Sequence, residues 1–193
     1  MSTLRTQKVT PLDGETNLIL GDSGDTVTIP AGATITNSGT ATGFGKVVQV
    51  AHTVYTTPST GSTIFPLDNT IPQNTEGDEF YTVNITPTNA LNILYIEIFV
   101  AAGRGSSVTQ SGVGLFQDSI AGALAVASHS SDTGNGAIPM ALKHRMVAGT
   151  TNQITFKVRA GDSNSSNFTI NRTNTQMYGG VWGSTITVTE VAV

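Results

Sequence analysis

Apolar residues recur at every second position along most of this chain, and this period of two constrains its fold more than any other feature. In the run 92–101, aliphatic residues alternate with Tyr95, Glu97 and Phe99, and the run 152–160 follows the same rule. Because successive side chains of a β-strand point to opposite faces, this spacing predicts strands with one buried face. No window has a convincing helical period, and we predict a hairpin at 118–128, where a glycine interrupts the best helical candidate.

Nine such runs predict nine strands, separated by turns rich in Gly, Asn, Ser and Asp. They lie near residues 46–56, 79–87, 92–101, 112–118, 122–129, 138–147, 152–160, 165–172 and 184–192. Strands in this number, with short turns and no helices between them, are typical of antiparallel sandwiches. The sequence therefore predicts an all-β protein whose residues 46–193 form an antiparallel jelly-roll-like β-sandwich.

The segment 18–45 has a different pattern, with very short apolar alternations between Gly, Asp, Asn and Ser turns. Strands of three or four residues bury too little surface to offset the entropy of ordering them, unless copies stack their apolar faces. We therefore predict that residues 1–45 form a short β stalk or anchor, ending at the glycines of 39–45. Its packing residues are expected to be Leu18, Leu20, Val27, Ile29 and Ile35.

Composition excludes several classes of partner and chemistry. Charged residues make up 11% of the chain, against about 25% in an average soluble domain, and there is no Cys. The net charge of −4 and the scattered basic residues argue against a nucleic-acid partner. The first residues lack the apolar run of a secretory signal. The longest apolar run, 93–102, contains Glu97 and is too short to span a bilayer, so we expect no membrane insertion.

One short motif resembles a nucleophile signature. Gly-Asp-Ser-Gly-Asp at 21–25 overlaps the sequence around the serine of a serine protease family and the opening of a lipase family. A nucleophilic serine needs a histidine base and a third group that orients it. No histidine precedes Ser23, and Ala141 stands where the lipase pattern would place an Asp before His144. The same five residues suit a tight turn, which we predict here.

Other polar residues give no firm catalytic or metal site. His52, His129 and His144 lie on or beside separate predicted strands, without the spacing of metal ligands. The acidic run 76–79 and the pair Asp22 and Asp25 leave a calcium site open as an alternative. The run 76–79 also supplies the only clustered carboxylates for a glycan-cleaving enzyme, although a solvated strand entry explains it more simply. We predict no enzyme activity, no metal and no cofactor.

The most plausible binding feature is the loop that holds the only Trp, Tyr178-Gly-Gly-Val-Trp182. Aromatic rings on a Gly-rich loop can stack on a sugar ring, and the loop 128–136 with His129 would offer polar partners if it lies at the same end. The alternative is that Trp182 fills the core or a subunit interface.

A second aromatic pair lies on a predicted strand rather than on a loop. Tyr95 and Phe99 flank Glu97 on one strand face, which is either a subunit contact or an ordinary solvated face.

Several stretches resemble surface proteins of tailed bacteriophages. Gly-Asp-Ser-Gly-Asp-Thr-Val-Thr-Ile-Pro-Ala-Gly-Ala-Thr-Ile-Thr-Asn-Ser-Gly-Thr-Ala-Thr-Gly-Phe-Gly at 21–45 is similar to a repeat of their tail fibres. The runs 89–96, 150–159 and 184–191 resemble strands of their globular ends. The resemblance covers nearly the whole chain but rests on strand and turn sequences. It implies a homotrimer with an amino-terminal docking segment and a carboxy-terminal β-sandwich head.

This resemblance leaves two structural roles open. The first is a fibre-like appendage on the virion surface, docked on other virion proteins through residues 1–45, with a host-surface glycan as its candidate receptor. The alternative is a capsid decoration protein that stabilises the head lattice, a role suited to a chain with only 17 residues before Leu18.

Overall fold

The computed structural model describes residues 46–104, 109–131, 136–164 and 168–193, together with residues 26, 28, 31 and 32. The chain divides into two units, Met1–Gly43 and Phe44–Val193, and the fold below is that of the second unit. The predicted packing residues Leu18, Leu20, Val27, Ile29 and Ile35 lie outside the described residues, as does the motif at 21–25. The anchor and its boundary after residue 45 remain predictions.

The described residues form eleven β-strands and one three-residue 3-10 turn, Tyr178–Gly180. Each of the nine predicted runs overlaps one strand, and the hairpin predicted at 118–128 belongs to the connection between two of them. The two short strands β2 and β5 were not predicted. The strands are Val47–Tyr55 (β1), Ser59–Gly61 (β2), Asp78–Ile85 (β3), Ile93–Val100 (β4), Ala102–Arg104 (β5), Thr109–Gln117 (β6), Ala125–Ser131 (β7), Met140–Val147 (β8), Ile154–Asp162 (β9), Phe168–Ile170 (β10) and Ser184–Val191 (β11).

Eight of these strands form two four-stranded antiparallel sheets. The first sheet has the order β1-β11-β4-β8, and the second sheet has the order β3-β9-β6-β7. The chain passes repeatedly from one sheet to the other, and its first and last strands pair side by side. This is the jelly-roll arrangement of an eight-stranded sandwich, which confirms the predicted fold class. A small third sheet, β2-β10-β5, is built within the connections between the larger strands.

The core lies between the two large sheets and follows from the alternation in the sequence. The positions in phase with Ile96 on β4 and Val158 on β9 are buried, whereas the neighbours of Ile96 are exposed. Burying aliphatic and aromatic side chains of this size supplies most of the stabilisation of such a domain. The side chains with no exposed surface include Leu94, Ile96, Val113, Leu115, Ile154, Phe156, Val158, Ile186 and Val188.

The sandwich has two different ends. At the chain-terminal end lie the start of β1, the end of β11 and the short connections 86–92, 118–124 and 148–153; here Ala192 N donates to Lys46 O at 3.0 Å. At the opposite end, which we call the connection end, the chain makes its long links between sheets, and these links carry β2, β5 and β10. The antiparallel pairing fixes this polarity for every strand.

In the part of the chain that the structure describes, no helix has the length and apolar character needed to cross a membrane.

Candidate functional site

The outer side of the first sheet carries several exposed large side chains in the described part of the chain, among them Val50, Val54, Tyr95 and Phe99, and we call it the open face. Its residues form three rows that the strand register fixes, from β1 across β11 and β4 to β8. The rows are Val50–Thr189–Tyr95–Arg145, His52–Thr187–Glu97–Lys143 and Val54–Thr185–Phe99–Ala141.

The two outer rows carry the exposed valine and aromatic side chains of the open face, with Arg145 over the Tyr95 ring at 5.9 Å, and the middle row is polar. Val50 is 57% exposed, and Phe99 is 37% exposed. In the middle row Lys143 Nζ lies 2.5 Å from Glu97 Oε1, and His52 Nδ1 lies 2.8 Å from Thr187 Oγ1. The aromatic and valine side chains therefore stand exposed around a row whose charges are already paired. Such a surface is typical of a contact site, and the prediction that Tyr95 and Phe99 share an exposed strand face is confirmed.

The outer side of the second sheet, by contrast, is covered by the connection 62–77, with Phe65 at the centre of the contact. Phe65 is only 3% exposed, and its backbone N donates to Asp162 O at 2.9 Å. Its ring lies where side chains of the sheet would otherwise project: a Cβ at Gly112 would be 2.5 Å from Phe65 Cδ1, and one at Gly161 would be 3.2 Å from Phe65 Cβ. Glycines on β6 and β9 thus make the room that Phe65 occupies.

A pocket of about 200 Å³ opens beside Phe65, between the connection and strands β6 and β7. The connection contributes residues within 65–72, and strands β6 and β7 contribute the remainder. The lining residues are Phe65, Pro66, Leu67, Asp68, Thr70, Pro72, Gln110, Ser111, Gly112, Val126 and Ser128. Sequence reasoning missed this pocket because its two walls, residues 65–72 and the strands from Gln110 onward, are far apart in the chain.

The acidic run 76–79 is dispersed by the fold. Glu76 Oε2 accepts a hydrogen bond from Gln73 N at 2.9 Å, and Asp78 Oδ2 accepts one from Thr63 N at 2.9 Å. Glu79 lies 3.5 Å from both the Lys157 ammonium and the Arg159 guanidinium. Each carboxylate thus has its own partners within the covered side of the second sheet. Among the described residues, no group of three His, Cys, Asp or Glu is arranged to hold a metal ion.

The three histidines lie on different strands, as predicted. His52 belongs to the open face, and His144 on β8 is paired with the inward-facing Ile96. His129 on β7 begins a row that continues through Ser111 on β6 to Asp162 on β9. The Ser111 hydroxyl donates to the Asp162 carboxylate. A catalytic triad needs the histidine between the serine and the acid, so this order does not form one.

The aromatic loop predicted as a binding feature lies in the β10–β11 connection. Tyr178 is 71% exposed and has a φ of 48°, a conformation that costs energy for a residue with a side chain. Trp182 is partly buried. Within the described residues, no hydrogen bond or ring contact joins His129 to Tyr178 or Trp182. The proposed contact of these three residues with a receptor or a subunit remains a prediction.

A buried carboxylate closes the chain-terminal end of the sandwich. Glu190 has no exposed surface. Its Oε1 accepts hydrogen bonds from Thr88 N at 2.8 Å and from Asn92 Nδ2 at 2.6 Å. Its Oε2 accepts a hydrogen bond from Gln49 Nε2 at 2.5 Å. Burial by itself raises the pKa of Glu190, but these hydrogen bonds outweigh it and hold the pKa below its ordinary value. Glu190 lies in phase with Ile186 and Val188, so the alternation in the sequence already placed it inward.

A second polar network lies at the connection end. Asn171, with a φ of 60°, donates from Nδ2 to Tyr55 O at 2.8 Å and to Thr57 O at 3.0 Å, and its Oδ1 accepts from Ser184 Oγ at 2.8 Å. Asn tolerates this left-handed backbone better than most residues. Burial raises the pKa of the nearby Tyr81 phenol, whose hydroxyl donates to Phe99 O at 3.0 Å. The two networks fix both ends of the core.

Comparison with known proteins adds no family to this picture. No protein-family model matches the chain, and no curated protein matches it. Among solved structures, the chain is similar to the C-terminal domain of EclA, a sugar-binding protein, with 14% identity and a TM-score of 0.35 over 74% of this chain and 81% of that chain. It is also similar to dimeric latent PorU from Porphyromonas gingivalis, with 9% identity and a TM-score of 0.34.

The PorU likeness covers 77% of this chain but only 13% of PorU. At TM-scores this low, neither likeness identifies the chain. The class of protein that the described residues define is an all-β jelly-roll domain.

Proposed function

We propose that this chain is a structural protein of a bacteriophage virion: a homotrimeric, fibre-like appendage on the particle surface. Residues 1–45 dock on other virion proteins, and the jelly-roll head is presented for attachment to the host surface. The proposal assigns no catalytic step to the chain. It is supported by the phage-like sequence stretches and, above all, by the polarity of the sandwich.

That polarity is the observation that carries the proposal. The strand that continues from residues 1–45 starts at the chain-terminal end, where β11 also finishes. The long connections, including the exposed Tyr178 and Val181, lie at the connection end. A domain that is attached through one end offers its opposite end to a second partner. Long loops on a rigid sandwich are also where binding functions concentrate.

The composition of the anchor supports association between copies of the chain, and the number three is what the phage resemblance implies. Its apolar alternations are too short to form a core within one chain, so burial between copies is the available source of stability. Val27 and Ile29 alternate with Thr26 and Thr28, and the structure describes both threonines as exposed. The alternation thus supplies a matched pair of substitutions on opposite sides of one short segment.

The mass of the full chain in solution tests the proposed trimer. We expect light scattering to give three times the chain mass of 20.0 kDa. The double variant Val27→Asp/Ile29→Asp is expected to give the mass of one chain, because carboxylates would then line the contact between copies. Thr26→Asp/Thr28→Asp is the control and should remain trimeric. A single-chain mass for the unmodified protein would refute the proposal.

A second function, capsid decoration, is favoured by the open face. A flat apolar sheet surface suits lateral packing against coat subunits better than display on a fibre tip. The number of copies per particle distinguishes the two roles, since hundreds of copies indicate decoration and a few trimers indicate an appendage. If the chain decorates the capsid, Val50→Asp/Val54→Asp should reduce the copies per particle without unfolding the head. Absence of the chain from purified particles would refute both roles.

A further inference from the structure

The pocket beside Phe65 lies under the β2–β3 connection, which backbone hydrogen bonds hold in place on both sides of the pocket. Before residue 66, Phe65 N donates to Asp162 O at 2.9 Å, and the Phe65 ring packs over the β6 and β9 glycines. After residue 71, the connection is bonded to the β6–β7 connection: Ala123 N donates to Pro72 O at 2.9 Å, and Asn74 N donates to Ala121 O at 2.7 Å. Residues 66–71 span the distance between these points. The pocket is therefore preformed, which lowers the cost of ordering it around a ligand.

One wall of the pocket is apolar and the rim is polar. Leu67, Val126 and the two prolines supply hydrocarbon surface, and both Leu67 and Val126 are well exposed to solvent. Gln110 and Ser128 line the same space from β6 and β7. This is the composition of a small-ligand site, in which apolar surface gives affinity and a few polar groups give orientation.

The charge on the pocket comes from one carboxylate. Asp68 Oδ1 accepts hydrogen bonds from Thr70 N at 2.8 Å and Thr70 Oγ1 at 2.6 Å, and these bonds lower the pKa of Asp68. The second oxygen of Asp68 has no partner among the described residues. No Lys, Arg or His lines the pocket in the described part of the chain. An anionic ligand would therefore meet an unpaired negative charge, and a ligand with hydroxyl donors would satisfy it.

The volume limits the ligand to about one ring. Sites for drug-sized molecules measure roughly 300–1,000 Å³, so a pocket of about 200 Å³ takes a smaller group. A pyranose has one face of C–H groups for the apolar wall and several hydroxyls that both donate and accept. The carboxylate of Asp68, the amide of Gln110 and the hydroxyl of Ser128 complement several hydroxyls, whereas an organic cation would use the carboxylate alone.

We propose that the pocket between residues 65–72 and strands β6 and β7 binds a single neutral sugar residue of a glycan. This inference rests on the proposed function for its biological role, because it names the class of receptor that the head would recognise. It places that site on the covered side of the second sheet, and neither Tyr178 nor Trp182 lines it. Binding to a free sugar is tested without any assumption about virions or hosts.

The test is a titration of the full chain with five sugars, one at a time: glucose, galactose, mannose, rhamnose and N-acetylglucosamine. Binding is detected by saturation-transfer NMR and by shifts of the methyl signals of Leu67 and Val126. We expect at least one sugar to bind with a Kd of the order of 1 mM, as befits a ligand of one ring. Ser128→Phe, which fills the pocket, should abolish binding. Asp68→Asn should weaken it about tenfold, the usual effect of losing a charge-assisted hydrogen bond.

Ser130→Phe is the matched control, because Ser130 lies two residues further along β7 on the same exposed side but does not line the pocket. It should bind sugar like the unmodified chain, and urea unfolding of all three variants shows whether each remains folded. Failure of every sugar to bind, or equal loss with Ser130→Phe, would overturn the inference. So would binding of tetramethylammonium in the pocket with no sugar binding, since the site would then be one for organic cations.

Attachment of the Ser128→Phe variant to host cells separates the two proposals: retained attachment removes the pocket from the receptor role and leaves the proposed function standing.

Discussion

The two large sheets of the sandwich share one core but differ in what lies on their outer sides. The first sheet shows an open face in which Val50, Tyr95 and Phe99 are exposed, and the second sheet lies beneath the connection that carries Phe65. The register contributes to the difference, because Gly112, Gly114 and Gly161 occupy outward positions of β6 and β9 beneath Phe65, where the first sheet has Thr, Tyr, Phe and Val. Glycines let a connection pack closely, whereas large side chains keep it away. Because Val50 and Phe99 stay exposed among the described residues, this face is available for another molecule.

The largest expected effect is on the free energy of unfolding. It is found by removing one aromatic ring from each of the two outer faces and comparing the losses. Phe65→Ala should lower the free energy of unfolding by about 3–5 kcal/mol, because it leaves a cavity over the glycines of β6 and β9. Phe99→Ala on the open face is the matched control and should cost no more than about 1 kcal/mol, since its ring is 37% exposed. Urea unfolding monitored by circular dichroism measures both. Similar losses would show that the open face is not open in solution.

The next prediction concerns Glu190, the buried carboxylate on β11 of the first sheet. Glu190→Gln should cost about 2 kcal/mol at pH 7, because Thr88, Asn92 and Gln49 lose a charged acceptor. The lowered pKa of Glu190 means that the unfolded chain takes up a proton more readily than the folded protein does. The contribution of Glu190 is therefore fully present above its unfolded pKa, near 4.3, and is lost as the pH falls through its folded pKa.

Unfolding free energies measured from pH 7 down to pH 3 test this linkage. The difference between the unmodified chain and Glu190→Gln should shrink as the pH falls. Glu97→Gln on the open face is the control; its exposed pair with Lys143 should be worth less than about 1 kcal/mol. A difference that stays constant with pH would show that the Glu190 carboxylate does not supply the stabilisation.

The smallest effect probes the fit between the connection and the second sheet. A Cβ at Gly161 would lie 2.5 Å from Thr63 O, so Gly161→Ala should displace the connection and cost about 1–2 kcal/mol. Gly136→Ala is the control, because nothing lies within 4 Å of the added carbon. Thermal unfolding compares the two variants. A neutral Gly161→Ala would mean that the connection moves freely over the sheet.

Much of the fold followed from local pattern alone. The inward positions of β4, β9 and β11 were predicted by period two, because a strand with one face in the core must keep that face apolar. The short strands β2 and β5 escaped prediction since three residues are too few to show a period. They exist because both pair with β10. The pocket escaped for a related reason: its walls come together only when the connection folds back over the sheet.

The candidate site residues show the same division. Tyr178 and Trp182 were predicted only as receptor or interface contacts, and neither the positive φ of Tyr178 nor the partial burial of Trp182 is readable from a Gly-rich run. The carboxylates of 76–79 look like a cluster in the sequence. The fold gives each its own partners, since Glu76 and Asp78 accept hydrogen bonds from the connection whereas Glu79 lies beside Lys157 and Arg159 of β9.

The sequence by itself determined that this chain forms strands and which side of each strand faces the core, because side-chain alternation is a local property of extended backbone. Only the tertiary structure decided the order β1-β11-β4-β8 and β3-β9-β6-β7, the cover over the second sheet and the pocket at its edge. These depend on pairing between residues far apart in the chain. The physical reason is that hydrogen bonds of the backbone specify no partner, and the choice among partners is made by packing of the whole core.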